Sequence, residues 1–226
     1  MADTLYLSLW YPNLRLAALP EKLLAVLGAF AAHGGEPRVY SATVWPVNWS
    51  EAPVFQRIWG RMAAQPESIP PSLPGADPLL AVEEAIEMLH DDYAYEFQIG
   101  WNLWEFEAAD SLAPAIESSP SSPHVLGRWA RGPRLVRVTA YGPLFEEGAY
   151  EQDGHIRIDF GSDTPFLEED ADLDQVGARH VEENVRQLID LAAGVEKASG
   201  ATARLLWSEL GESLAQRLAE RLGMRN

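Results

Sequence analysis

Leu5, Leu7 and Leu9 alternate with Tyr6, Ser8 and Trp10. That is the two-residue period of a strand with one buried face. From Pro20 the period changes: Leu23, Leu24, Leu27, Phe30 and Ala31 recur at helical spacing, and His33-Gly34-Gly35 supplies the stop. Val39 to Val47 is rich in β-branched and aromatic residues and predicts a second strand, interrupted near Pro46. Val54 to Trp59 reads as a short third strand. Asp77-Pro78 marks a helix start, with Asp as cap and Pro in the first turn. Leu79, Val82, Ala85, Ile86 and Leu89 then form the buried stripe of a helix expected to end near Asp91-Asp92.

Tyr95, Phe97, Ile99, Trp101 and Leu103 share one face of a long strand, opposite Glu96, Gln98 and Asn102. The apolar parity then passes to Trp104 and Phe106, which predicts a bulge at Gly100. Arg134 to Tyr141 is a further strand. Ala149 to Phe160 predicts a central hairpin turning on Asp153-Gly154, a pair suited to a tight turn with positive φ at both central residues. Val181, Val185, Leu188, Ala192 and Val195 mark an amphipathic helix closed by Ser199-Gly200. Ala203 to Trp207 reads as a strand before a terminal helix carrying Leu214, Leu218 and Leu222. The alternative is one continuous helix from Thr202, and the glycines at 200 and 211 favour the interrupted form.

The resulting expectation is an α+β fold: a mixed or antiparallel sheet with helices packed on it, β-α-β units at both ends and a central hairpin. The repeated strand–helix–strand order at 5–47 and 156–207 raises an internal duplication, without a residue-level repeat to support it. The chain reads as one domain over 1–226, or as two subdomains, 1–107 and 125–226, joined by a Ser/Pro-rich loop at 108–124. A second loop, 64–78, holds five prolines.

Composition narrows the function classes. Of the 226 residues 47% are hydrophobic, enough to build a core without disulfides or metals. There is no cysteine, which removes thiol nucleophiles and thiolate metal sites. The N-terminus lacks the basic region of a signal peptide, and no apolar run has the length of a membrane span. A cytoplasmic protein with no membrane association is expected. The net charge of −17, from 34 acids against 17 bases, repels nucleic acid and favours a basic protein partner.

Four clusters are candidates for chemistry. The first is the acidic run Glu168, Glu169, Asp170, Asp172 and Asp174, read as a docking surface for a basic partner against the plainer reading of a solvated loop before a helix. Asp170-x-Asp172-x-Asp174 opens like a calcium loop, but Gln175 and Val181 stand where an EF-hand needs Gly and Glu, so no metal site is assigned. The second comprises Glu87-x-x-His90 and His180-x-x-Glu183, whose plainer reading is helix-end residues rather than ligands. The third is an alternative groove: Glu96, Trp101, Asn102, Trp104 and Glu105, with Trp45, Asn48, Trp49 and Glu107 nearby. Aromatic platforms beside amides and carboxylates suit a sugar or another neutral substrate, as in a carboxylate-dependent hydrolase, though Glu105 and Glu107 on one strand do not face each other across a substrate. The fourth is the basic island from Arg128 to Arg137, which either binds an anion or neutralises the protein's own acids.

Phosphate-loop, dinucleotide, zinc-protease and nucleophile-elbow motifs are all missing. The leading expectation is a non-catalytic module of the immunity or antitoxin type, needing no cofactor and docking a basic partner. A carboxylate-dependent hydrolase and a structural or assembly component are the rivals.

Overall fold

A computed structural model describes residues 3–34, 38–60, 75–108, 127–167 and 175–209. It contains seven strands: β1 (Thr4–Trp10), β2 (Val39–Pro46), β3 (Phe55–Ile58), β4 (Tyr93–Ala108), β5 (Gly127–Tyr141), β6 (Ile156–Ser162) and β7 (Ala203–Ser208). Five helices accompany them: α1 (Leu19–Ala32), α2 (Pro78–Ile86), the one-turn α3 (Tyr150–Asp153) and α4 (Thr164–Leu167), and the long α5 (Gln175–Ser199). The strands form one sheet in the order β3-β2-β4-β5-β6-β1-β7, with every neighbouring pair antiparallel. This is the α+β class expected from the sequence.

The strand–helix–strand units are present in a split form. In β6-α5-β7 the two strands run parallel, but β1 lies between them; in β3-α2-β4 the strand between is β2. In β1-α1-β2 the parallel strands have three others, β4, β5 and β6, between them. Because β1 inserts between β6 and β7, the halves on either side of 108–124 share one sheet. They also share one core, in which Leu5, Leu7 and Leu9 meet Val136, Val138, Ile156, Ile158 and the apolar stripes of α1, α2 and α5. The helices therefore cover one face of the sheet.

Capping follows the sequence where the signal is local. The Asp77 side chain accepts the Leu79 N–H at 2.9 Å, with Pro78 in the first turn. α2 nevertheless stops at Ile86, short of the expected Asp91. Glu87 and His90 consequently do not share a helical face, and His90 pairs with Asp92 instead.

Two turn expectations are corrected. Asp153-Gly154 is not a hairpin turn: residues 150–153 form a helical turn, and Gly154 ends it at φ +86 and ψ 156. A Cβ there would lie 2.8 Å from the Leu9 backbone nitrogen, so the glycine is required by close approach as well as by φ. The central hairpin is β4–β5, in unbroken register from Ala94↔Tyr141 to Ala108↔Gly127. β4 therefore has no bulge against β5 at Gly100. The irregularity is in β2, where Tyr40 is the extra residue between Val39↔Ile99 and Ser41↔Gln98. Gly100 serves that bulge, since a Cβ on it would stand 3.1 Å from the Tyr40 ring.

The first half of β5, which carries Gly132 and Pro133, was not expected as strand. It is tolerated because β6 pairs with β5 only from Arg137 to Ala140, leaving Pro133 at an edge. β7 takes the place of the continuous-helix alternative as far as Ser208; the expected terminal helix lies outside the described residues.

Candidate functional site

Strand alternation divides the five groove residues between two faces. Trp101 and Glu105 share the helix-covered face; Glu96, Asn102 and Trp104 lie on the other. Trp101 is completely buried. Its ring packs on Phe30, Phe160 and Phe166, and its indole N–H donates to the His33 carbonyl at 3.0 Å. It is a core residue and lines no groove. Glu105 pairs with Arg134.

Trp104 belongs to a different arrangement. Beyond Ile99, β4 loses its β2 neighbour, and α5 takes over the exposed strand edge. The Asn184 side chain accepts the Trp104 N–H at 2.9 Å and donates to the Trp104 carbonyl at 2.8 Å, as a neighbouring strand would. It also donates to the Pro165 carbonyl at 2.8 Å, which joins α4 to the same point. One helical turn on, Gln187 donates to the carbonyls of Asn102 and His33. The Trp104 ring stacks on His180 at 3.9 Å and donates to Glu183, while Arg131 bonds to both Glu183 and Gln187. The His180 and Glu183 side chains thus dress the β4–β5 hairpin. Among the described residues no three His, Asp or Glu side chains converge as metal ligands.

The face opposite the helices carries a polar ladder across β4, β5, β6 and β1. Arg137 lies between two carboxylates, Glu96 at 3.6 Å and Asp159 at 3.7 Å. Arg157 pairs with Asp153 and sits over the rings of Tyr6 and Tyr141. Burial pushes the Glu96 carboxyl above its usual range; Arg137 opposes this, Asp159 adds to it and Arg157 again opposes. Burial also raises the Tyr6 phenol to about 12, helped by its hydrogen bond to Glu209. Glu96 and Asp159 are carboxylates from different strands, but one guanidinium engages both, so they do not stand as a free acid and base.

A test follows from the sign of the Glu96 shift. A carboxyl that holds its proton more tightly folded than unfolded makes stability fall as pH rises from the ordinary carboxylate range through its folded pKa. Glu96→Gln is expected to flatten that part of the stability profile in urea denaturation between about pH 4 and 7. An unchanged slope would place the burden on another group.

The basic island is resolved by its partners: Arg131 meets Glu183, Arg134 meets Glu105, and Arg137 meets Glu96 and Asp159. These arginines neutralise the protein's own acids. The acidic run Glu168, Glu169, Asp170, Asp172 and Asp174 lies outside the described residues.

No family model, curated protein or solved structure matches this chain. Among the described residues, no helix is long and apolar enough to cross a membrane.

Alternation puts His155 on the face opposite Ile156 and Ile158. Its Nδ1 accepts the Tyr11 N–H at 3.2 Å, and burial pulls its pKa down. With Tyr11, Asn13, Leu16, Tyr141 and Tyr150 it lines a pocket of about 270 Å³. Leu14, Leu19 and Pro143 complete its apolar wall, and none of the described lining residues is a carboxylate.

Proposed function

We propose that this protein is a non-catalytic binding module whose acidic surface docks a basic protein, in the manner of an immunity or antitoxin protein. The observation that supports this reading is where the bases go. Lys22, Arg57, Arg131, Arg134, Arg137, Arg157, Arg186 and Arg204 each pair with a carboxylate of the same chain. With 34 acids against 17 bases, internal pairing leaves the surplus negative charge to set the outward potential. Such a potential steers cationic partners and rejects nucleic acid, and a protein that acts on nucleic acid must itself present a basic surface. The chemistry of an inhibitor for such a protein is then complementary charge.

Crosslinking of the full chain in its native cells, followed by mass spectrometry, should enrich a protein of basic isoelectric point. Reconstituted from purified components, the pair should lose roughly tenfold or more in affinity between about 50 and 300 mM salt. A neutral or acidic partner, or a complex indifferent to salt, overturns the reading.

A further inference from the structure

Three loops meet at one end of the sheet: residues 46–51 after β2, residues 90–93 before β4, and residues 142–149 after β5. Backbone hydrogen bonds lace them together. The Val47 N–H donates to the Asp92 carbonyl at 2.7 Å, the Leu144 N–H to the Asp91 carbonyl at 2.8 Å, and the Glu146 N–H to the Val47 carbonyl at 2.8 Å. Beneath them lies a small second core, separate from the main one, formed by Ala94, Tyr141 and Phe145 with Trp45 and Trp49 against it. The Trp49 ring packs edge-on to Phe145 at 5.0 Å and to Trp45 at 5.7 Å. This aromatic platform fixes the loops in place.

The fixed loops present apolar side chains to solvent. Leu144 is 63% exposed and Val47 48%. The same three loops carry the exposed carboxylates Glu51, Asp91, Glu146 and Glu147 and contain no lysine or arginine. Three of these residues are also held in the left-handed region, Val47 at φ 59, Glu146 at φ 46 and Glu147 at φ 57. A β-branched residue there is a true conformational outlier. The strain holds an apolar side chain out in water, where burial gains nothing for the isolated chain.

We infer that this loop end is the docking surface for a cationic protein segment carrying one large apolar anchor. The inference rests on the reading of the protein as an acidic binding module and gives that reading a location. Leu144 and Val47 supply the centre that a partner desolvates, and the carboxylates form the charged rim. The occupant is fixed by complementarity: exposed apolar side chains on loops that carry carboxylates and no base favour a hydrophobic side chain flanked by Lys or Arg and disfavour an acidic or purely apolar segment.

The test uses the full chain, labelled with ¹⁵N, and two synthetic probes: a lysine-rich heptapeptide with a central tryptophan, and the same peptide with serine at the centre. At low salt the tryptophan peptide should shift the amides of 46–51, 90–93 and 142–149, and should bind roughly tenfold tighter than the serine peptide. Leu144→Lys, at an exposed position, should remove most of that difference without loss of fold. Val47→Gly should weaken binding while raising the melting temperature, because glycine relieves the backbone and deletes the anchor contact. Equal affinity for the two peptides overturns the inference. Shifts centred on 168–174 with the loop end silent overturn the location and leave the acidic-module reading intact. No binding of either peptide at low salt removes both.

Discussion

Trp101→Ala is expected to destabilise the protein by about 3–5 kcal/mol, the range for a fully buried large aromatic cut to alanine. Trp101 is the largest of the completely buried side chains among the described residues and packs against three elements: Phe30 of α1, Phe160 of β6 and Phe166 of α4. Truncation opens a cavity at that junction and leaves the His33 carbonyl with Gln187 as its side-chain donor. Trp101→Phe separates the two contributions. It keeps most of the packing and loses the indole hydrogen bond, so it should cost about 1–2 kcal/mol. Chemical denaturation checks both variants, as a lower midpoint with an unchanged slope. A loss under about 1 kcal/mol for the alanine variant would mean that Trp101 lines an open groove after all.

Asn184→Ala is expected to cost about 3 kcal/mol, because three backbone groups, one buried and two part-buried, lose their partner at once. The Trp104 N–H and carbonyl and the Pro165 carbonyl all bond to this one amide, and the residue is completely buried. Asn184→Asp tests the direction of the bonds. A carboxylate still accepts from the Trp104 N–H, but it turns its second oxygen towards two carbonyls that need a donor. It should therefore be no better than alanine. Hydrogen exchange supplies the readout that a general loss of packing would not give: the Trp104 amide should lose protection ahead of the amides of the central β4–β5 ladder. With its amide partner removed, this stretch of β4 becomes an uncovered edge, so the variant should also self-associate more readily.

The two residues behind these predictions were legible to different degrees. Trp101 falls in the alternating series Tyr95, Phe97, Ile99, Trp101 and Leu103, and that series marks it as core. Asn184 breaks a pattern: it sits three residues after Val181 and four before Leu188, on the apolar stripe of α5. A polar amide at such a position signals a buried hydrogen-bonding duty, although its partners cannot be read from sequence. Grouping Trp101 with Asn102, Trp104 and Glu105 as a groove failed because neighbours along a strand point to opposite faces. The Asp153-Gly154 hairpin failed because a tertiary contact overrode a local preference. The pair suits a tight turn, but residues 150–153 close a helical turn and Gly154 lies against the β1 backbone.

Local periodicity, caps and the charge balance determined the number and kind of most elements, the apolar face of each, and the negative character of the whole. These properties depend on side chains a few positions apart, and their physics is complete within a short window of chain. Only the tertiary structure decided that β1 inserts between β6 and β7, that α5 covers the edge of β4, that Arg137 joins Glu96 to Asp159, and that Val47 and Leu144 are exposed on loops held together by backbone hydrogen bonds. Each of those brings together groups far apart in sequence, and the free energy that selects them comes from burying one shared core.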